Sequence, residues 1–252
     1  MAFFDEDLDY DLRSKSSMWF ALDPAQRSTL QARHRLKSVQ HHAIAHSYKI
    51  EFPSHARDVS SSKRKKKIQK QIFLLQDTIR WGIGHYSSKR LDHLFIQQLA
   101  AFIEPASQGI YRREPVRILG SPDIPPSPEK VPTEMVQYFV TLRDKMSSKK
   151  SIAHIESAFY AHLHLARIHP FQDGNGRTAR ALQDIILDSK GLPPPIIAQG
   201  ERIDYFDHLT SAILAYKDRK ASDSKELSKG ERNFYNYMGG KLNESLNTVL
   251  GL

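Results

Sequence analysis

The chain has 252 residues, enough for one large domain or two small ones, and its 40% hydrophobic and 10% aromatic content is that of a globular protein. It contains no cysteine, which excludes disulfides and thiolate metal sites, and no apolar run of membrane-spanning length. The formal net charge of +9 favours polyanionic partners, whether nucleic acid or nucleotide phosphates.

The N-terminus, MAFFDEDLDYDL, is acidic and lacks the basic start and small-residue cleavage site of a signal peptide, so a cytoplasmic protein is expected. Asp23-Pro24 reads as a helix start, with aspartate as cap and proline at the first helical position. Leu36, Val39, Ala43, Ser47 and Ile50 then recur at helical spacing, and Phe52-Pro53 ends the run. The basic stretch SSKRKKK, residues 61–67, is short and carries no interleaved aromatics. A solvated loop leading into a helix therefore suits it better than a nucleic-acid patch at 63–67.

A second helix follows with Ile68, Ile72, Leu75 and Ile79 on one face, and a third with Leu91, Leu94, Phe95, Leu99 and Phe102. Gly82 and Gly84 in WGIGHY carry no specific signal. Residues 108–132 are rich in glycine and proline. Within them YRREPVRIL is expected as a short β-hairpin or extended flap. Helix resumes with Met135, Phe139 and Leu142. IESAFYAHLHLARI is apolar on most faces, which predicts a buried central helix. His162 and His164 are two apart, point to different sides and read as packing or hydrogen-bonding residues rather than metal ligands. Further helices are expected over RTARALQDIILDSKG, over residues 205–216 and, as a peripheral element, around Phe234 to Met238.

Between the central helix and its successor lies HPFQDGNGR, residues 169–177. Pro170 ends one helix and Asn175-Gly176 opens the next, so a glycine-rich loop feeds a helix N-terminus, an arrangement that binds phosphate. Arg177 and Arg180 are three apart, on one face, and suit further phosphate oxygens. Asp173 supplies a carboxylate for Mg²⁺ beside a polyphosphate, and His169 is the nearby group able to accept a proton near neutral pH. Phe171 reads as an apolar anchor. These parts describe phosphoryl or nucleotidyl transfer. A plain turn would need neither the flanking histidine nor two aligned arginines.

HPFQDGNGRTAR resembles the signature of the Fic family, HxFx(D/E)GN(G/K)RxxR, at every specified position. GIYRREPVRI resembles that family's flap and HLHLARI its helix into the signature, so the likeness covers about the last two-thirds of the chain. The resemblance implies an all-α, Fic-like helical bundle with a short β-hairpin flap, with ATP and Mg²⁺ as cofactors and AMP transfer to a hydroxyl side chain of a protein target. It implies His169 as the base, Asp173 as the metal ligand, and Gly174, Asn175 and Gly176 as the anion hole. Arg177 and Arg180 would bind the β- and γ-phosphates. Ile110, Tyr111, Arg112 and Val116 would lie in a flap that clamps an extended target segment.

Many members also carry [S/T]xxxE[G/N] on an inhibitory helix whose glutamate meets the second arginine of the signature. HSYKIEF places Ser47 and Glu51 at that spacing, with Phe52 where the family has Gly or Asn. A glutamate in a last helical turn opposes the dipole and so prefers a cation elsewhere, here Arg180. The expected organisation is an acidic arm and inhibitory helical region (1–90), a catalytic core (91–220) and a peripheral C-terminal segment (221–252). Self-modification is expected as an accompanying reaction, and a homo-oligomer stays open. Removal of AMP, transfer of another phosphate moiety and a basic nucleic-acid-binding helical protein remain the alternative readings.

Overall fold

The computed structural model describes residues 3–23, 26, 30–51, 62–87, 91–118, 121–148, 150–223 and 226–252. Among these the regular structure is helical: α1 Glu6–Ala21, α2 Leu30–Glu51, α3 Ser62–His85, α4 His93–Ile103, α5 Val131–Met146, α6 Ser151–Ile168, α7 Asn175–Asp188, α8 Arg202–Ala221 and α9 Lys229–Leu250. No helix among them is long and apolar enough to cross a membrane.

The centre is α6, whose Ile155, Phe159, Leu163 and Ile168 are fully buried, as its all-round apolar sequence requires. It packs against α7, where Ala179, Leu182, Ile185 and Ile186 form a strongly one-sided apolar face. The α5, α8 and α9 helices close one side of this pair, and α2, α3 and α4 the other. Gly82 has a packing role. A Cβ there would fall under 3.0 Å from Ile185 Cδ1, so the missing side chain lets α3 lie against α7.

Several expectations change. The N-terminal arm is helix α1, docked by Phe3, Phe4, Leu12 and Trp19, with Trp19 Nε1 donating to Gly191 O at 2.7 Å. The C-terminal segment is likewise a core element. Ser228 and Glu231 form a reciprocal cap, and Phe234, Met238, Leu242 and Leu246 are buried. In α4 the core face is Phe95, Ile96, Leu99, Ala100 and Ile103, whereas Leu94 is 74% exposed and Phe102 is also exposed. The basic stretch forms the first turns of α3 from Ser62 rather than a loop. Asp23 and Gln26 exchange side-chain-to-backbone bonds, the pattern of a capped start. Pro24 lies outside the described residues, as do Phe52 and Pro53.

The flap is not a β-hairpin. Residues 110–118 are irregular, with a bend at 113–114, and pair with no second strand; no strand occurs among the described residues. Pro115, Pro122, Pro125 and Pro126 remove the amide donors that a ladder would need. Arg112 fixes the segment instead. Its backbone N–H donates to Pro170 O at 2.9 Å, and its buried guanidinium donates to His169 O (2.7 Å), Glu114 O (3.3 Å) and Pro126 O (2.5 Å).

Candidate active site

His169 caps α6 in the left-handed conformation, φ 52°, which turns the chain sharply out of the helix. Its Nδ1 lies 3.2 Å from Ala166 O, so Nδ1–H donates there and Nε2 is left as the acceptor. Burial lowers its pKa, partly offset by the Ala166 carbonyl, and the ring is neutral at pH 7. Phe171, fully buried, holds the loop in the core. Asn175 locks it by a double bond to the Phe171 backbone, accepting from its N–H at 2.9 Å and donating to its carbonyl at 2.8 Å.

Gly174 caps α7 at φ 79°, a conformation a side chain would strain. The amides of Asn175 and Gly176 then stand in the first turn of α7, where no carbonyl of the helix can reach them. They and the positive dipole end face the loop. Asp173 is 72% exposed, accepts from Gly174 N–H, and lies 3.6 Å from Arg177. Among the described residues no three carboxylates or imidazoles converge on one point. A metal here would have Asp173 as its one protein carboxylate, which suits a hard cation whose other oxygens come from phosphates and water.

Both arginines are buried and held. Arg177 donates to Glu104 Oε2 (2.9 Å) and Ile103 O (3.3 Å). Arg180 donates to Ser47 Oγ (2.8 Å), Ser47 O (3.1 Å), Tyr205 OH (3.2 Å) and Glu51 Oε1 (2.7 Å). Despite the burial, the Glu51 and Tyr205 partners hold its pKa above the ordinary value. Glu51 is the last residue of α2, and a Cβ on Gly176 would fall under 3.0 Å from its Oε1. Its carboxylate therefore lies directly over the start of α7. Arg202 Nε donates to Ile50 O at 2.7 Å, which satisfies a terminal carbonyl of α2 and fixes that helix end.

The sequence-predicted residues thus divide. His169, Asp173, Gly174, Asn175, Gly176, Arg177 and Arg180 share one loop and helix start, and Ser47 and Glu51 arrive from α2. In the flap Ile110 is 51% exposed and Val116 is half-buried. Tyr111 turns inward to His93 (2.7 Å), and Arg112 is the buried staple rather than a surface contact. His162 is a buried hydrogen-bonding residue, between Gln183 and Tyr205 at 2.8 Å each, and its pKa is pushed down to about 3 by burial. Glu104, Tyr205 and Arg202 also belong to the site. Each reaches its partner across a long sequence separation, and no local pattern marks them.

The Fic/DOC family model matches residues 87–187. A protein adenylyltransferase Fic of Nematostella vectensis is 41% identical over 109 residues, 43% of this chain and 24% of that one. The same-named protein of Drosophila persimilis is 35% identical over 116 residues, 46% of this chain and 22% of that one. The chain thus spans about a quarter of the length of the curated relatives it matches. The crystal structure of a Fic-domain-containing signaling protein from Bacteroides thetaiotaomicron superimposes with a TM-score of 0.72 at 21% identity, covering 97% of this chain and 98% of that one, and so shares the fold. The signature loop between α6 and α7 and both of those helices fall within the stretch that matches the Fic/DOC family model, so residues 87–187 of this chain are similar to that family.

Proposed function

We propose that this chain is a protein adenylyltransferase that moves AMP from ATP to a hydroxyl side chain of a protein target, and that α2 restrains it. The reading is carried by one arrangement. A neutral imidazole with a free Nε2 stands beside a glycine-capped helix start bearing two arginines, in a domain whose relatives are named protein adenylyltransferases.

The chain's residues divide the work as follows. The first-turn amides of α7 and Arg177 orient the phosphates and neutralise their charge. His169 Nε2 accepts the proton of the target hydroxyl as its oxygen bonds to the α-phosphorus and pyrophosphate leaves. Asp173 would hold Mg²⁺, which supplies charge neutralisation on the polyphosphate. The exposed side of the flap, at Ile110, presents the target segment. Because the target approaches as an extended chain, a segment of a second copy would serve as well, which is the basis for self-modification. The cytoplasmic setting expected from the sequence fits a reaction that consumes ATP.

Glu51 supports the restraint. It occupies Arg180, the group that would meet the γ-phosphate, and crowds the helix start at Gly176. Loss of a charge-assisted contact is worth roughly 1.5–3 kcal/mol, about ten- to a hundred-fold in binding. Misplacement of the α-phosphate costs rate as well. The same carboxylate, 27% exposed, is also placed to orient water, so hydrolytic removal of AMP is a second reading.

Purified wild type and Glu51→Gly, incubated with Mg²⁺, labelled ATP and a cell lysate, should yield AMP-bearing proteins by mass spectrometry, with Glu51→Gly labelling roughly tenfold faster or more. No AMP adduct with either protein would overturn the assignment. A higher rate of AMP loss from labelled protein with wild type than with Glu51→Gly would favour removal.

A further inference from the structure

Beside α6 the molecule has a recess of about 670 Å³ that the reaction above does not use. No residue of the loop 169–177 lines it, nor does Arg180. Its walls come from α5, α6, α8, α9 and the segment at Ile124–Ser127. The volume is that of a small-molecule site rather than a protein-binding face.

Its charge is one-sided. Lys130, Lys145, Arg167, Lys217, Arg219 and Lys220 line it, against two carboxylates, Glu134 and Glu231. Both carboxylates are committed. Glu134 accepts from Arg167 at 2.7 Å, and Glu231 holds Arg219 in a bidentate pair at 2.7 and 2.9 Å. Lys217 has Asp123 and Ile124 O. Lys145, half-buried, has no carboxylate within ion-pair distance among the described residues. Its ammonium lies over the rings of Phe3 (4.6 Å) and Tyr160 (5.2 Å). Arg167 and Arg219 flank the Tyr216 ring at 4.7 and 5.1 Å. Three cations are thus gathered on aromatic faces around one space, and they repel one another there. Burial lowers the pKa of Lys145; Glu156 and Asp144 oppose that shift and Arg219 adds to it. His164, buried at the floor, is held well below its usual value by burial and then by Arg167, Lys145 and Arg219.

The six cations, the open space and the aromatic faces lead us to propose that this recess binds a small organic anion, phosphate- or carboxylate-bearing, whose charge docks on Lys145 with Lys220 and Lys130 at the rim. The chain's positive surplus is then partly a ligand site. Nothing in this inference depends on AMP transfer.

Pyridoxal 5′-phosphate is a suitable probe. It is a planar phosphate-bearing aldehyde that condenses with a lysine amine to an imine and water, and borohydride reduces the imine to a stable secondary amine. Peptide mapping of the intact protein at low probe concentration should find Lys130 or Lys220, beside the phosphate held by Lys145, modified at least tenfold faster than lysines outside the recess, and Lys145→Met should remove that preference. Equal rates, or a preference that survives in Lys145→Met, would overturn the proposal. Pyrophosphate or citrate should protect these two lysines, pyrophosphate better for a phosphate ligand and citrate better for a carboxylate. Failure of both to protect would overturn it.

Discussion

In the proposed reaction His169 meets two demands that oppose each other. It must be buried enough to be dry and basic enough to take a proton. Burial lowers its pKa and the Ala166 carbonyl restores part of it. The base form therefore persists below the ordinary histidine range, and the acid limb of kcat in labelling assays should fall below pH ~6.5. A limb above that value would contradict the geometry. His169→Ala should cut the rate roughly 10²-fold or more while leaving ATP affinity, measured by calorimetry, nearly unchanged. Asp184, one turn beyond Arg180, carries a second residue-scale signature. Burial raises its pKa to about 7, against an ordinary value of 3.8. In the folded state it is protonated between those values and in the unfolded state it is not, so its contribution to stability falls as pH rises through that window. Asp184→Asn should therefore gain stability over wild type at pH 8 compared with pH 5, by about 1–2 kcal/mol in urea titrations. An equal difference at both pH values would show that the carboxyl is not shifted.

At the scale of elements, α2 is held to the core by more than the Glu51 pair. Gln40 Nε2 donates to Asp188 at 3.0 Å, Arg35 Nε donates to Val249 O at 3.1 Å, and Arg202 closes the C-terminal end on Ile50 O. The aim of Glu51 is thus set partly from α8, by a residue that contacts none of the signature side chains in these bonds. Arg202→Ala should loosen the last turn of α2 and raise the labelling rate to a value between wild type and Glu51→Gly. A rate equal to wild type would mean that the helix end needs no such clasp. The first helix plays a purely structural part. Trp19 is buried and hydrogen-bonded across to Gly191, so Trp19→Ala should cost about 3–5 kcal/mol in chemical denaturation.

Across the whole molecule, what could be read from sequence was what is encoded locally. The central α6 announces itself by unbroken apolar character, and α7 by its glycine start and periodic face. The chemistry-bearing residues from His169 to Arg180 are neighbours in the chain, so their company in space follows directly. The rest depends on long-range packing. The apolar stripe of α1 runs through buried Ser16, which breaks the pattern that would have revealed a docked helix. The α4 stripe is misread because Leu94 and Phe102 are exposed apolar residues, which periodicity cannot distinguish from core. The flap has extended composition but no partner strand, and only the fold shows Arg112 taking the strand's place. Glu104 reaches Arg177 across 73 positions, a pairing no spacing rule contains.

The closeness of Glu51 to Gly176 also bears on how such a chain can change over time. With the carboxylate seated, position 176 has no room for a β-carbon. Once Glu51 is lost that room returns, and the position is open to larger residues. The two positions are thus coupled: without the glutamate the helix start gains room, whereas a side chain placed first at 176 requires the seated carboxylate to shift. Related sequences should accordingly carry a side chain at this position chiefly where the glutamate is gone.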